Sequence, residues 1–432
     1  MELRTLADAE VYLDGFINRE RAVHFDYEKL GLARIRGLLV EIGHPEAGLP
    51  CIHITGSKGK GSVALSCEAL LLAAGHRVAT YTSPHLETWR ERFRIDGELV
   101  SVEALLAALA RIQPAVERIR ADPESRPSFF DVTTALALEI FRDAAVEVGV
   151  IEVGIGGRLD STNIVESRVS VISAVQLEHT DKLGNTLEAI AREKAGILRK
   201  EVPVVHGPLP AEAYEVLLAR SVAEDTELEE VSAVPRAVRR DGQRFELPDG
   251  RELETSLLGA HQATNVAIAV RSCERFLGRA LLAPELAVLR ELRLPARIER
   301  FDDLILDAAH TPDSARALRE TLEQLWPGRP WVLGVSISRD KRALEILREL
   351  IPSVRVCVLT RAERDRSQPL DELAGMIRAA GGSCQVEREE DPLAALHRVQ
   401  QLQAPGELAV LTGSIYFAGA IRGELCRQTV SG

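Results

Sequence analysis

The chain has 432 residues, 46% of them hydrophobic and 27% charged, with a formal net charge of -12 at pH 7. That is the composition of a folded globular protein rather than a disordered one, and the length suits two domains, three at most. The negative balance excludes a general binder of nucleic acid or anionic membranes, so an anionic ligand has to be met by a local group of cations.

In chain order, the N-terminal stretch MELRTLADAEVYLDGF lacks the apolar core of a signal peptide. No later run approaches the roughly 18 apolar residues of a membrane span. A cytoplasmic protein is the expectation. Five β-branched runs then read as strands: CIHIT from Cys51, HRVATYTS from His76, VGVIEVG from Val148, VSVISAV from Val169 and VPVVHG from Val202. Between them SVEALLAALARI and TLEAIAREKAGILRK carry helical patterns. Such alternation predicts a parallel sheet flanked by helices. The polar, turn-broken stretch RRDGQRFELPDGRELET predicts antiparallel hairpins appended to that sheet, and GAHQATNVAIAVRSCERFLG predicts a helix. After the proline-bearing segment Leu292 to Glu299 a second alternation begins, with LILDA, WVLGVS, VRVCVLT and LAVLTGS as its strands. The fold class expected is therefore α/β. A first domain over residues 1–294, with N-terminal helices and a mostly parallel sheet, precedes a smaller α/β domain over 295–432. Six scattered cysteines without a C-x-x-C pair signal neither a zinc site nor a disulfide framework.

Four stretches carry chemistry. ITGSKGKGS, Ile54 to Ser62, lies between a strand and a helix but lacks the spacing G-x-x-x-x-G-K-[ST]. Gly56, Gly59 and Gly61 let backbone N–H groups and the positive helix end meet a phosphate, and Lys60 adds a point charge. The competing reading is a glycine-rich turn with a solvated lysine. In VIEVGIGGRLDSTN, Glu152 ends an apolar strand at the sheet edge where ligands bind. A carboxylate buried there needs a cation, either Mg²⁺ beside a nucleotide or an arginine in a structural ion pair, and Arg158 with Asp160 reads as a further charged pair. His179 and Lys194 follow in AVQLEHTDKLGNTLEAIAREKAGILR, and each alone is as well explained as an ordinary polar residue. In LILDAAHTPDS, Asp307 and His310 end the first strand of the second domain, close to Arg297 in the linker. Across an inter-domain cleft they would face the glycine loop.

Taken together, these stretches resemble the Mur ligase superfamily of ATP-dependent amide-forming enzymes, and most closely its folylpolyglutamate synthase and dihydrofolate synthase branch. TGSKGKGS, YTSPHLETWRERFRIDG, FFDVTTALAL, EVGIGGRLDSTN, EHTDKLGNTLEAIAREKAGI, LGAHQATN, PARIERF and LDAAHTPDS occur in that family's order over nearly the whole chain. The resemblance implies a P-loop-type ATPase domain followed by a smaller Rossmann-like α/β domain, and that Gly56, Ser57, Lys58, Gly59, Lys60, Gly61 and Ser62 form the family's shorter loop G-T-N-G-K-G-[ST], with Lys60 on the ATP phosphates. It implies Ser83 and Glu152 as ligands of a first Mg²⁺ and His179 as ligand of a second. Lys194 corresponds to the lysine that carries a CO₂-derived carbamate. Asn265, Arg297 and Asp307 match ATP contacts, and His310 lies near the phosphates; Lys60, Lys194, Asp307 and His310 are the catalytic set.

On the pterin side the segments are Leu30, Gly31 and Leu32; Ser128, Phe129, Phe130 and Asp131; and Arg158, Leu159 and Asp160, with Phe129 or Phe130 stacking on flat rings. The implied reaction joins L-glutamate to dihydropteroate or a reduced folate in a monomeric enzyme. Ser57-Lys58, Gln176-Leu177-Glu178, Ala296 and DAAHTPDS depart from the family pattern, the last towards the D-Y-A-H-T-P of peptidoglycan ligases. Every charged group the chemistry needs is retained. The alternatives are a ligase for another carboxylate and a nucleotide-binding protein without catalysis, for which a second metal ligand and Lys194 would have no use.

Overall fold

The computed structural model describes residues 3–18, 27, 31–122 and 125–431, so Leu30 lies outside the described residues. The strands β1 (Pro50–Thr55), β2 (Val78–Tyr81), β3 (Phe93–Ile95), β4 (Glu98–Leu99), β5 (Val148–Glu152), β6 (Glu166–Ile172), β7 (Val204–His206) and β8 (Leu228–Glu230) make one sheet in the order β4-β3-β2-β5-β1-β6-β7-β8. Only the pairs β2 with β3 and β3 with β4, at one edge, are antiparallel. PCIHIT is buried at every residue after Pro50. A central parallel strand covered by helices on both faces needs such an unbroken buried run.

Register sets the site. Ile54 pairs with Glu152, Thr55 with Ile172 and Tyr81 with Ile151, so β2, β5, β1 and β6 end at one level. The residues that follow them, Thr82-Ser83, Val153-Gly154, Gly56-Ser57 and Ser173-Ala174, share the carboxyl edge of the sheet. That edge is where ligands of open α/β sheets bind. The Lys60–Ala73 helix begins within the glycine loop, and Gly59 is its N-cap.

The hairpins β9 (Val234–Arg239), β10 (Gly242–Glu246) and β11 (Glu252–Thr255) are not appended to the large sheet but form a three-stranded antiparallel sheet of their own. Their strands alternate and are half exposed, so one face is free to bury. Phe245, Leu247 and Leu253 pack into the same cluster as Ala263, Val266 and Val270 of the Ala260–Leu277 helix. Covering that helix takes the apolar face of the hairpins out of water.

The second body contains β12 (Glu299–Phe301), β13 (Leu304–Leu306), β14 (Trp331–Val335), β15 (Val354–Leu359), β16 (Gln385–Arg388) and β17 (Leu408–Thr412), ordered β12-β13-β17-β14-β15-β16. All pairs but β12 with β13 are parallel. Leu289 and Leu294 belong to a core of the large body, whereas Ala296 and Leu304 belong to one of the second. We therefore propose the domain boundary between Leu294 and Pro295. The six cysteines are free, and among the described residues no helix is long and apolar enough to cross a membrane.

Candidate active site between the two bodies

Backbone geometry and the Ser57 hydroxyl tie the glycine loop down. Gly59 has φ +85, and a Cβ there would stand 2.4 Å from Asn265 Oδ1. A Cβ on Gly56 would stand 1.9 Å from Ser173 Oγ. Ser57 N–H donates to Ala174 O at 2.8 Å, and its hydroxyl both donates to Gln176 O (3.1 Å) and accepts from Gln176 N–H (3.0 Å). Ser57 is thereby a loop-positioning residue. The first turn of the Lys60–Ala73 helix has no side-chain cap, which leaves its N–H groups for an anion. Lys60 Nζ lies 3.3 Å from Gly56 O and 3.9 Å from Glu152 Oε1. These features fit a nucleotide phosphate: a cradle built on three glycines, uncapped donors and the Lys60 ammonium.

Glu152 is buried and its Oε2 accepts from Ser83 N–H at 3.1 Å. Burial pushes its carboxyl up to about 7, against the pull of Lys60, the Ser83 N–H, Arg297 and Arg92. Its cation partner is thus a lysine in the loop, and Arg158 pairs elsewhere. Among the described residues no group of three or more His, Cys, Asp or Glu side chains is placed to hold a metal. So few protein donors, a carboxylate with a hydroxyl for one ion and an imidazole for another, suit Mg²⁺, which keeps waters and takes substrate phosphate oxygens, better than a metal caged by protein alone.

The Glu152 shift has a testable sign. Because its folded pKa lies above the ordinary 4.5, the neutral carboxyl's contribution to stability is full below that value and is lost as pH rises through about 7. Glu152→Gln is therefore expected to match the parent protein in thermal stability at pH 5 and to exceed it at pH 8 in metal-free buffer. Equal melting temperatures at pH 8 would show that the carboxylate is not strained by its surroundings.

Facing the loop, His179 caps the short Thr180–Leu183 helix with φ 52. Burial holds its imidazole neutral, down to about 3, the form a metal requires. Lys194 is the last residue of the Leu187–Lys194 helix, is 3% exposed, and makes no hydrogen bond or ion pair among the described residues. Burial, then Lys60 and Lys58, bring its ammonium down to about 7, opposed by Glu178. From the second body, Asp307 accepts from Ile298 N–H and Ala309 N–H, both at 2.8 Å. Arg297 is close enough to act on Asp307, Glu152 and His261. His310 Nδ1 is 2.9 Å from Ala308 O, and its Nε2 is 3.0 Å from Lys58 Nζ. Lys58 also forms an ion pair with Glu178.

The pterin-side segments divide. Ser128 and Asp131 form a capping box on the Phe129–Asp143 helix, and Asp131 also accepts from Ser161 Oγ at 2.6 Å. Phe129 is a core residue under the Arg92 guanidinium, which leaves half-buried Phe130 as the ring against Gly154. Asp160 accepts from Ile155 N–H, Thr162 N–H and Thr162 Oγ1, and burial raises it to about 6. The expected Arg158–Asp160 pair is absent: Arg158 pairs with Glu193 at 2.8 Å. Asp160 is occupied by backbone and hydroxyl donors, and Glu193 is the carboxylate Arg158 meets. Leu159 packs on the cluster that holds Tyr27 and Leu183, Gly31 is the N-cap of the Leu32–Glu41 helix, and Leu32 and Phe130 both pack on the core that contains Phe129.

Sequence reasoning passes over four contributors. Glu178 stands beside His179 and is held well below the usual carboxylate range by Lys58, His310 and His179, although burial alone would raise it. Lys341, in SRDKR, acts on Lys58, His179 and His310 from the second body. Lys182 and Arg366 extend this group of cations. Only the adjacency of Glu178 to His179 is a local signal.

Comparison with known proteins adds independent findings. The Mur ligase middle domain pattern matches residues 54–273, and the Mur ligase glutamate ligase domain pattern matches 296–415. The folylpolyglutamate synthase of Lacticaseibacillus casei is 35% identical over 91% of this chain and 94% of its own. The solved structure of Mycobacterium tuberculosis folylpolyglutamate synthase complexed with ADP superposes with a TM-score of 0.90 at 32% identity, covering 98% of this chain and 99% of that one. Escherichia coli FolC in complex with DHPP and ADP gives a TM-score of 0.84 at 25% identity, with 99% of each chain covered.

Proposed function

This chain belongs to the Mur ligase family, in its folylpolyglutamate synthase and dihydrofolate synthase branch, and on that premise we propose that it joins L-glutamate to a folate-type carboxylate at the expense of ATP. One observation carries the reading. Lys60 and Glu152 of the first body and Arg297, Asp307 and His310 of the second converge on one glycine loop, with the buried amine of Lys194 beside them. A protein that only bound a nucleotide would gain nothing from burying that amine.

In the first step an oxygen of the substrate carboxylate bonds to the γ-phosphorus of ATP, and the bond to the β,γ-bridging oxygen breaks, giving an acyl phosphate and ADP. In the second the glutamate nitrogen bonds to the acyl carbon, loses a proton, and phosphate leaves. One Mg²⁺ at Glu152 and Ser83 and a second at His179 would draw negative charge from the phosphoryl group. Lys60 places a positive charge beside the outer phosphates, and the loop amides orient them. The second body covers the loop, which excludes water that would otherwise hydrolyse an acyl phosphate. Lys194 supplies a neutral amine at and above about pH 7, the form that bonds to CO₂. Lys60 and Lys58, which disfavour its ammonium, favour the carbamate anion. Lys341, Lys182 and Arg366 offer cations for the two carboxylates of the incoming glutamate.

The test is direct. Purified protein is given ATP, Mg²⁺ and L-glutamate with dihydropteroate or tetrahydrofolate in turn, and ADP release and product mass are followed. Glutamate-dependent ADP with a product one glutamyl residue heavier is expected with at least one acceptor. Its absence with both would overturn the folate reading, and activity on another carboxylate alone would move the protein elsewhere in the family.

A further inference from the structure

Lys58 stands in the glycine loop two residues before Lys60, and position alone makes it a second cation for phosphate. Its side chain goes elsewhere. Lys58 Nζ is ion-paired with Glu178 of the first body and lies 3.0 Å from His310 Nε2 of the second. His310 Nε2 is itself 3.7 Å from Glu178 Oε1. The three groups form one bridge across the cleft, joined over sequence separations of 120 and 252 residues.

The hydrogen bonds define the imidazole. Ala308 O can only accept, so His310 Nδ1, 2.9 Å away, carries the proton. Nε2 then has a lone pair, and an ammonium is its proper donor. Lys58 has three donors and no acceptor, so it serves Glu178 and His310 together. A hydroxyl or carboxylate at this position could not make both contacts. Glu178 anchors the ammonium, the ammonium fixes the ring, and the ring is fixed in tautomer as well as place.

We propose that Lys58 is a positioning residue: it docks His310 of the second body onto Glu178 of the first and fixes the imidazole above the phosphate loop, and it is not a second phosphate cation. The kinetic part of the test rests on the ligase reading, whereas the spectroscopic part needs no substrate, so a failure of either is separately visible.

The experiment uses the full chain labelled with ¹⁵N-histidine, with K58N and E178Q as variants. In the nucleotide-free protein the His310 ring signals, assigned by their loss in H310N, are expected to show the Nδ1–H tautomer with an Nε2 that accepts a hydrogen bond. K58N should shift Nε2 towards an unbonded nitrogen. In the reaction, K58N and E178Q are each expected to lower kcat roughly 10-fold or more, while the Kd for ADP changes less than about threefold. The double variant should be no worse than either single one, because residues acting as a unit are not additive. If K58N leaves the His310 signals unchanged, or raises the ADP Kd about 10-fold with kcat kept, or if the two defects multiply, Lys58 serves the phosphates and the proposal fails. Should K58N not fold, E178Q decides alone: it must perturb the His310 Nε2 signal through Lys58, and an unperturbed signal overturns the bridge.

Discussion

Lys194→Met is expected to abolish ligation and, in the same protein, to raise thermal stability. Both effects have one cause. The Lys194 amine is buried with no hydrogen-bond partner among the described residues, and burial with Lys60 and Lys58 brings it from its ordinary 10.5 to about 7. A group whose folded pKa is depressed contributes stability that is complete above the unfolded value and is lost as pH falls through the folded one. For Lys194 the window runs from about 10.5 down to about 7. Methionine fills nearly the same volume with no charge, so it carries none of the cost of burying an unpaired ammonium. The gain in melting temperature should therefore be largest at pH 6 to 7 and shrink towards pH 10, in CO₂-free buffer. Adding bicarbonate should raise the melting temperature of the parent protein and leave that of the variant unchanged. A variant that is less stable at pH 6, or one that still ligates, would remove Lys194 from the site.

The second large effect concerns Lys60→Ala. Lys60 Nζ is the loop cation nearest Glu152, at 3.9 Å, and is the strongest influence lowering that carboxyl. Removing a preorganised charge from a site of phosphoryl transfer costs about 10²–10³ in kcat. Folding should be little changed, because alanine is the best helix former and position 60 is the first residue of its helix. Glu152 is then expected to titrate higher still, so the variant should take up a proton instead of unfolding near neutral pH. Circular dichroism and steady-state kinetics check the two halves separately. Retention of near-normal kcat/KM would mean that the loop amides, not Lys60, carry the phosphate.

Much of the sheet is legible in the amino-acid order. CIHIT, VGVIEVG and WVLGVS stand out as strands because central parallel strands are buried on both faces and show it as continuous apolar sequence. The glycine loop, Glu152 and Asp307 fall at strand ends because such ends are marked locally, by a switch from apolar residues to glycine or charge. Where expectation and fold part, the deciding contact is distant. RRDGQRFELPDGRELET has the alternation of hairpins, but nothing in it says which surface its apolar face covers. The Ala260–Leu277 helix decides that.

Charge partnerships show the same division. Arg158 precedes Asp160 by two residues in the chain, yet the fold gives Asp160 to Thr162 and Ile155, and gives Arg158 to Glu193. Lys58 looks like a phosphate ligand in its loop, yet it is held by Glu178 and His310. Residue type and local spacing by themselves determined where the chain turns, which runs are strands and which strand end carries the glycine loop, since backbone preference and burial pattern act over a few residues. Tertiary structure alone decided which charge meets which. An ion pair depends on burial and on groups brought together from distant segments, and neither is written within reach of one motif.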